Sequence, residues 1–366
     1  MASPTDEPHI QLPATTDGTE ATVAHSPRNS RGWDGKLRIE RRAVVNESEP
    51  ESEDDDAPPL QQIEADEDLC ADLEDDTTEI DLVHCRIQSI PALRLERFQH
   101  VERLCLRQNQ ITAVEFPPSL ASTLKDLDLY DNLISSIKGL EDFSELTSLD
   151  FSFNKIKHIR RVNHLQKLTD LYFVQNKISV IENLEGLTNL TNLELGGNRI
   201  RTIQNLETLT ALEKLWLGKN KLTSLSGLDT LSNLKILSIQ SNRLHELSGL
   251  ESLPQLEELY VSHNALTEIS GLSGNTNLRV LDISANPLEH LTGLEAQSQL
   301  EELWASSCKL DSFEEVEQQL RDKAELQTVY LEGNPLQKRQ PALYRNKVRL
   351  ALPQVQQIDA TYVRLA

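Results

Sequence analysis

Aromatic residues make up only 4% of this 366-residue chain, methionine occurs once and cysteine four times. The four cysteines (Cys70, Cys85, Cys105 and Cys308) lie far apart, with no CxxC pair for zinc or redox chemistry. No apolar run approaches the ~18 residues of a membrane span. The opening Met-Ala-Ser-Pro-Thr-Asp-Glu has neither the basic start nor the apolar stretch of a signal peptide. Positive charge is scarce as well: 36 Lys and Arg stand against 58 Asp and Glu, a formal charge of −22. Phosphate neutralisation needs a basic face, so nucleic acid is not an expected partner. Catalytic signatures are missing too, with no GxGxxG, P-loop, HExxH or GxSxG and no histidine pair at ligand spacing. The expectation is a reduced, intracellular, soluble protein that is not an enzyme and carries no cofactor and no metal.

Leucine fills the space that aromatics leave, at 61 residues, one in six. Its spacing is regular. Asn109, Asn132, Asn154, Asn176, Asn198, Asn220, Asn242, Asn264 and Asn286 follow one another at one step of 23 and seven of 22 residues. Cys85 and Cys308 occupy the same slot 24 residues before and 22 after the series, and Asn334 follows after a step of 26. Around each marker the text reads L-x-x-L-x-L-x-x-N-x-L/I, as in Leu190, Leu193, Leu195, Asn198 and Ile200. Twelve units fit, from about residue 77 to 336.

Leu193 and Leu195 alternate on a short strand and point inward, which sends Glu194 outward. The Asn198 amide is expected to turn inward and satisfy backbone groups as the chain leaves the strand. Cysteine tolerates that slot as a small, weak donor, so Cys85 and Cys308 read as structural. Return segments such as Ile203–Leu209 are too short for long helices and predict 3₁₀ or single-turn pieces. Parallel strands ~4.8 Å apart predict an outward face roughly 50 Å long. Within the longer step, Ser312 and Glu315 form a capping-box pattern ahead of Phe313, Val316 and Leu320. Residues 337–366 read as a C-terminal cap, and Ala92–His100 with the acidic flank 60–76 as a shield for the first repeat.

Residues 1–59 are rich in Pro, Ser, Thr and charge, and predict a disordered acidic tail. Residues 1–76 hold 21 acids and 6 bases, net −15, so the remainder carries only −7. Ser48 and Ser52 each precede a carboxylate by three residues, the pattern acidophilic kinases favour; a plain solubilising tail reads equally well.

The informative side chains are those that alternate with the strand leucines. In order they are Asp81, Cys105, Asp128, Asp150, Tyr172, Glu194, Trp216, Ser238, Tyr260, Asp282, Trp304 and Tyr330. Five carboxylates and five aromatics stand in this one column, including two of the three tryptophans. The column two residues earlier adds Asp126, Asp170, Glu258 and Glu302 beside Lys214, read as its one cation. Like charges in neighbouring strands repel, and a basic partner would relieve them. Trp and Tyr among acids also match the composition of interface hot spots. The expected partner is a protein with a basic surface. A metal site at Asp128 and Asp150 is a weaker reading, because one carboxylate per strand does not build an oxygen cage.

The repeat resembles the leucine-rich repeat, and its 22-residue units narrow the likeness further. Phrases such as Leu-Thr-Asn-Leu-Glu-Leu, the Tyr330-Leu-Glu-Gly-Asn-Pro run and the Tyr344-Arg cap resemble the leucine-rich-repeat regulatory subunits of protein phosphatase 1, the regulatory subunit 7 family. That resemblance implies an α/β solenoid with a parallel concave sheet, and a non-catalytic subunit that holds the phosphatase catalytic subunit on that face. It further implies a nuclear and cytoplasmic protein, monomeric on its own, acting in phosphatase maturation or localisation and in mitosis, with room for a third inhibitor protein. The family's binding positions fall on Asp150, Tyr172, Glu194, Trp216, Tyr260, Asp282, Glu302, Trp304 and Tyr330, and the column adds Asp128. The basic-x-Val-x-Phe peptide of other phosphatase subunits has no full counterpart, since Val114-Glu-Phe116 lacks the basic residue. An adaptor of the same fold for a cytoskeletal, ciliary or RNA-export partner is the alternative.

Overall fold

The computed structural model describes residues 69–363. The readings of a disordered tail at 1–59, of Ser48 and Ser52 and of the flank at 60–68 lie outside the described residues. Twelve three-residue strands, from β1 (Glu79–Asp81) to β12 (Thr328–Tyr330), pair in parallel in strict sequence order. The register never slips: each strand's middle residue stands beside the next strand's middle residue, as Leu193 beside Leu215. Two short strands, β13 (Gln357–Ile358) and β14 (Thr361–Tyr362), extend the sheet, the last of them antiparallel.

Three residues suffice for a strand because the ladder continues beyond it. After β6 (Asn192–Glu194) the Leu195 N–H donates to Trp216 O at 2.8 Å and Gly197 N–H to Gly218 O at 2.8 Å. The turn that follows is held by the marker asparagine, as expected. Asn198 Nδ2 donates to Phe173 O at 2.8 Å and Leu195 O at 3.0 Å, and its Oδ1 accepts the Ile178 N–H at 3.0 Å. One amide thus joins two turns and leaves few backbone groups unpaired in a buried place. Cys308 keeps the donor half, with its thiol on Ile283 O at 3.4 Å, but has no counterpart of the Oδ1 acceptor. Burial pushes its thiol up to about 11, which fits an inert structural cysteine.

Inside, the leucine pairs stack turn on turn and are fully buried, with Phe151 and Phe173 face to face at 5.9 Å. The return side is built from successive single turns, such as Leu209 N–H to Leu206 O and Leu212 N–H to Leu209 O, both 3.0 Å. Among the described residues regular 3₁₀ helices form only at Pro91–Leu93, Leu95–Arg97 and Pro118–Leu120, where the units are longer or proline sets φ. Two of these are the Ala92–His100 stretch, which is the return side of the first unit. What covers it is the turn at Cys70–Leu73, tied down by Arg97 on the Cys70 carbonyl and Asp75.

Helix α1 (Phe313–Leu320) starts where Ser312 was read as its cap, with Ser312 Oγ accepting the Glu315 N–H at 3.1 Å. The reciprocal half of the box is absent. Glu315 instead reaches the preceding turn, where it accepts the Leu291 N–H at 2.8 Å and meets His290 at 3.1 Å. Helices α2 (Pro335–Arg339) and α3 (Pro341–Ala351) cover the last turn. Tyr344 donates to Asp359, whose Oδ1 also accepts the Leu331 N–H at 2.9 Å, so the cap repeats the bridging that asparagine performs elsewhere. Among the described residues no helix is long and apolar enough to cross a membrane.

Candidate functional site

The outward column is the third residue of each strand, so the sheet delivers these side chains at one-strand intervals. Register places Asp128 beside Asp150, Asp150 beside Tyr172, Asp282 beside Trp304, and Trp304 beside Tyr330. Contacts divide the column into two groups on either side of Ser238.

In the first group, Asp128 accepts the Tyr130 N–H at 3.0 Å, and its other oxygen meets Arg107 at 2.8 Å. Arg107 also lies 4.1 Å over the Tyr130 ring. Asp128 is therefore neutralised within the chain, a pairing invisible in the column because Arg107 comes from the loop after the preceding strand. Asp150 likewise accepts the Ser152 N–H, at 2.7 Å. Burial, then the Asp128 charge beside it, pushes the Asp150 carboxyl up to about 6. Glu194 goes up to about 7, first from burial and then from Asp150 and Asp170, against the pull of Lys214. A polar chain runs alongside: Tyr172 Oη donates to Asp170 at 3.3 Å, and Trp216 Nε1 donates to Asn192 Oδ1 at 3.0 Å. Asn192 Nδ2 closes the chain on the Tyr172 oxygen at 3.2 Å.

In the second group Trp304 stands between Tyr260 and Tyr330, edge to face with each, at 6.0 and 5.7 Å. Two of the three hold a carboxylate of their own strand, Tyr260 Oη on Glu258 at 2.7 Å and Trp304 Nε1 on Glu302 at 3.0 Å, while the Tyr330 oxygen accepts from Gln357 at 2.8 Å. Asp282 lies below, only 6% exposed, and accepts the Ser284 N–H at 3.0 Å. Burial raises its pKa despite those hydrogen bonds. The arrangement presents a half-buried aromatic wall with fixed carboxylates along its rim, suited to packing against an apolar ridge flanked by cations.

Three points depart from the reading of the column. Outward does not mean solvated at mid-array: Trp216, Glu194 and Tyr260 are 7%, 9% and 9% exposed, because large neighbours one strand away cover them. The first-position column carries Arg103 as well as Lys214, so Lys214 is not its one cation, and Arg103 sits 3.6 Å from Asp126. Asn192 joins Tyr172 to Trp216 yet carries neither charge nor ring; its only signal is an amide standing between Asp170 and Lys214 in its column. No group of three or more metal-ligating side chains occurs among the described residues, Asp128 and Asp150 included.

Leucine-rich repeat models match residues 166–208, 210–253 and 254–296, successive pairs of turns. These repeats and the parallel sheet give the chain the fold of a leucine-rich repeat solenoid. An internalin of Listeria monocytogenes shares this solenoid at 21% identity, with a TM-score of 0.61 over 81% of this chain and 89% of that one. This leucine-rich repeat chain is also 55% identical over 91 residues to protein phosphatase 1 regulatory subunit SDS22 of Schizosaccharomyces pombe. The corresponding figures for SDS22 of Saccharomyces cerevisiae are 46% over 134 residues. Protein phosphatase 1 regulatory subunit 7 of Xenopus tropicalis is 72% identical over 39 residues. The matched stretches span 25% and 35% of this chain, and 26% and 36% of the two yeast proteins. The resemblance to the regulatory subunit 7 family is borne out by these relatives. So is the non-catalytic reading, since they are named regulatory subunits and the repeat fold is a scaffold.

Proposed function

We propose that this leucine-rich repeat protein is a regulatory subunit that holds the catalytic subunit of protein phosphatase 1 on its sheet face. One observation carries the reading: the wall of Tyr260, Trp304 and Tyr330, with Glu258, Glu302 and Asp282 fixed around it. A desolvated Trp and Tyr cluster ringed by polar groups is where association energy concentrates. The carboxylates set charge complementarity for a basic partner and raise its encounter rate. Asp150, Tyr172, Glu194 and Trp216 extend the footprint toward the N-terminal strands, while Asp128 contributes through its pair with Arg107. A subunit of this kind acts in maturation, activity or placement of the enzyme, in nucleus and cytoplasm, with consequences for mitosis. It is monomeric until it meets the phosphatase, and a third inhibitor protein has room to join.

Titration calorimetry with the purified catalytic subunit tests the assignment. Trp304→Ala and Asp282→Lys should each weaken binding by more than ~1 kcal/mol. Unchanged affinity in both would remove the sheet face from the reading. Absence of binding by the unmodified chain would leave an adaptor for another partner in its place.

A further inference from the structure

The same regularity that builds the sheet face builds a second feature along its edge. The residue after each marker asparagine is Lys155, Lys177, Arg199, Lys221 and Arg243 in five consecutive turns. Their backbone N–H groups donate to the preceding turn at 2.8–2.9 Å, as Lys177 to Ile156 O and Arg199 to Ile178 O. That ladder sets the five cations in a row at strand spacing, ~4.8 Å apart and about 19 Å end to end. Four are exposed and Lys221 is half-buried, and among the described residues none of the five makes an ion pair. The loop segments that carry them (152–159, 174–181, 196–203, 218–225 and 240–247) contain eight Lys and Arg and one acid, Glu246. In a chain with a large acidic excess, such a run is a concentrated exception. Five like charges in register repel one another and are relieved only by an anion laid along them.

Two neighbours narrow the choice of anion. At one end the same column continues as Leu133, 37% exposed, one turn before Phe153, also 37% exposed and tilted against the Tyr130 ring at 4.8 Å. Phe153 has φ of 57°, a left-handed conformation that bulky side chains rarely adopt, whereas Ser241 and Ser307 fill the equivalent place in other turns. In the middle, Gly196 carries no side chain between Glu194 and the cations, whereas the Gln240 side chain lies over Gly218. The φ of Gly196 is not positive, and a Cβ there would meet the Gly218 carbonyl at 3.4 Å, an ordinary contact, so the fold does not require the missing side chain.

We propose that this edge is a second docking surface, whose occupant is a short acidic polypeptide segment with one apolar side chain at its end. About six extended residues cover the row at ~3.3 Å each. The open place at Gly196 admits their backbone, the Gln240 amide beside Gly218 offers it a hydrogen-bonding partner, and Leu133 with Phe153 receives the apolar end. A nucleic-acid duplex or an anionic bilayer is too broad for the row and would be pressed against the acids of the adjacent sheet face. The surface is distinct from the phosphatase-binding wall and does not depend on that assignment.

Fluorescence anisotropy with a labelled octapeptide, one phenylalanine followed by seven glutamates, tests it. The unmodified chain should bind with an affinity that falls as salt rises. The triple variant Lys177→Glu, Arg199→Glu, Lys221→Glu should bind more than ~tenfold more weakly, and Phe153→Ser several-fold more weakly. Both sets of substitutions lie on side chains the core does not use, and unchanged thermal melts will confirm that the array is intact. Trp304→Ala should leave peptide binding as it is, and the triple variant should still bind the phosphatase catalytic subunit. Equal binding by the triple variant, or none by the unmodified chain, overturns the proposal. So does preference for duplex RNA or phosphatidylserine vesicles at the same concentration. Loss of phosphatase binding in the triple variant would merge the edge with the sheet face and overturn its separate role.

Discussion

Glu194→Gln separates the stability of the free array from its capacity to bind. Glu194 is 9% exposed, and its carboxyl is pushed from 4.5 up to about 7 by burial and by Asp150 and Asp170. A carboxyl whose folded pKa lies above its unfolded value keeps its proton longer in the folded state. The fold therefore has this advantage in full below about pH 4.5 and loses it as pH rises to about 7. At ~1.4 kcal/mol per pH unit, the displacement corresponds to roughly 3 kcal/mol of destabilisation once the group is ionised. Glutamine keeps the shape and removes the charge but brings a buried amide of its own, so a net gain of about 1–2 kcal/mol is expected at pH 8. At pH 5, where Glu194 is already protonated in the fold, the gain should vanish. Urea unfolding followed by far-UV circular dichroism at both pH values measures it. Equal effects at pH 5 and pH 8 would refute the reasoning. The same substitution should weaken binding of the phosphatase catalytic subunit at pH 7.5, because the ionised form is the one a basic partner recruits.

Three further substitutions address the scaffold. Asn198→Ala leaves the Ile178 N–H without its acceptor and should cost about 2 kcal/mol in the urea midpoint; a loss under half of that would mean water takes the amide's place. Cys308→Asn restores the missing acceptor at the one late break in the series and should raise stability by about 1 kcal/mol, with a fall in midpoint counting against the slot being equivalent. Gly293→Ala should cost more than ~1 kcal/mol, since φ is +101° and a Cβ would collide with the Ile269 carbonyl; an unchanged midpoint would show that the turn relaxes freely.

Much of this architecture was legible because the repeat is rigid in both sequence and space. The asparagine spacing sets every strand in register, so a column in the text is a column in the molecule. What it hides are contacts that cross from one column to another. Arg107 neutralises Asp128 from a different loop position, and Glu315 turns away from its own helix to serve Leu291. Burial of the outward side chains was hidden as well, because whether Glu194 meets solvent depends on the bulk of Tyr172 and Trp216 on either side. The basic edge is plain in the text after five consecutive asparagines, but it lies outside the strand columns that the repeat pattern brings forward.

The end of the sheet has a consequence for assembly. A stack of identical parallel strands is a template that any similar stack could extend, end on end. Here the outermost described strand, Thr361–Tyr362, is two residues long and runs against the other thirteen. An incoming first strand would face hydrogen-bonding groups laid out for the opposite polarity, over too short a length to anchor it. Reversing one strand thus gives this end of the described sheet an edge that does not match the parallel ladder behind it.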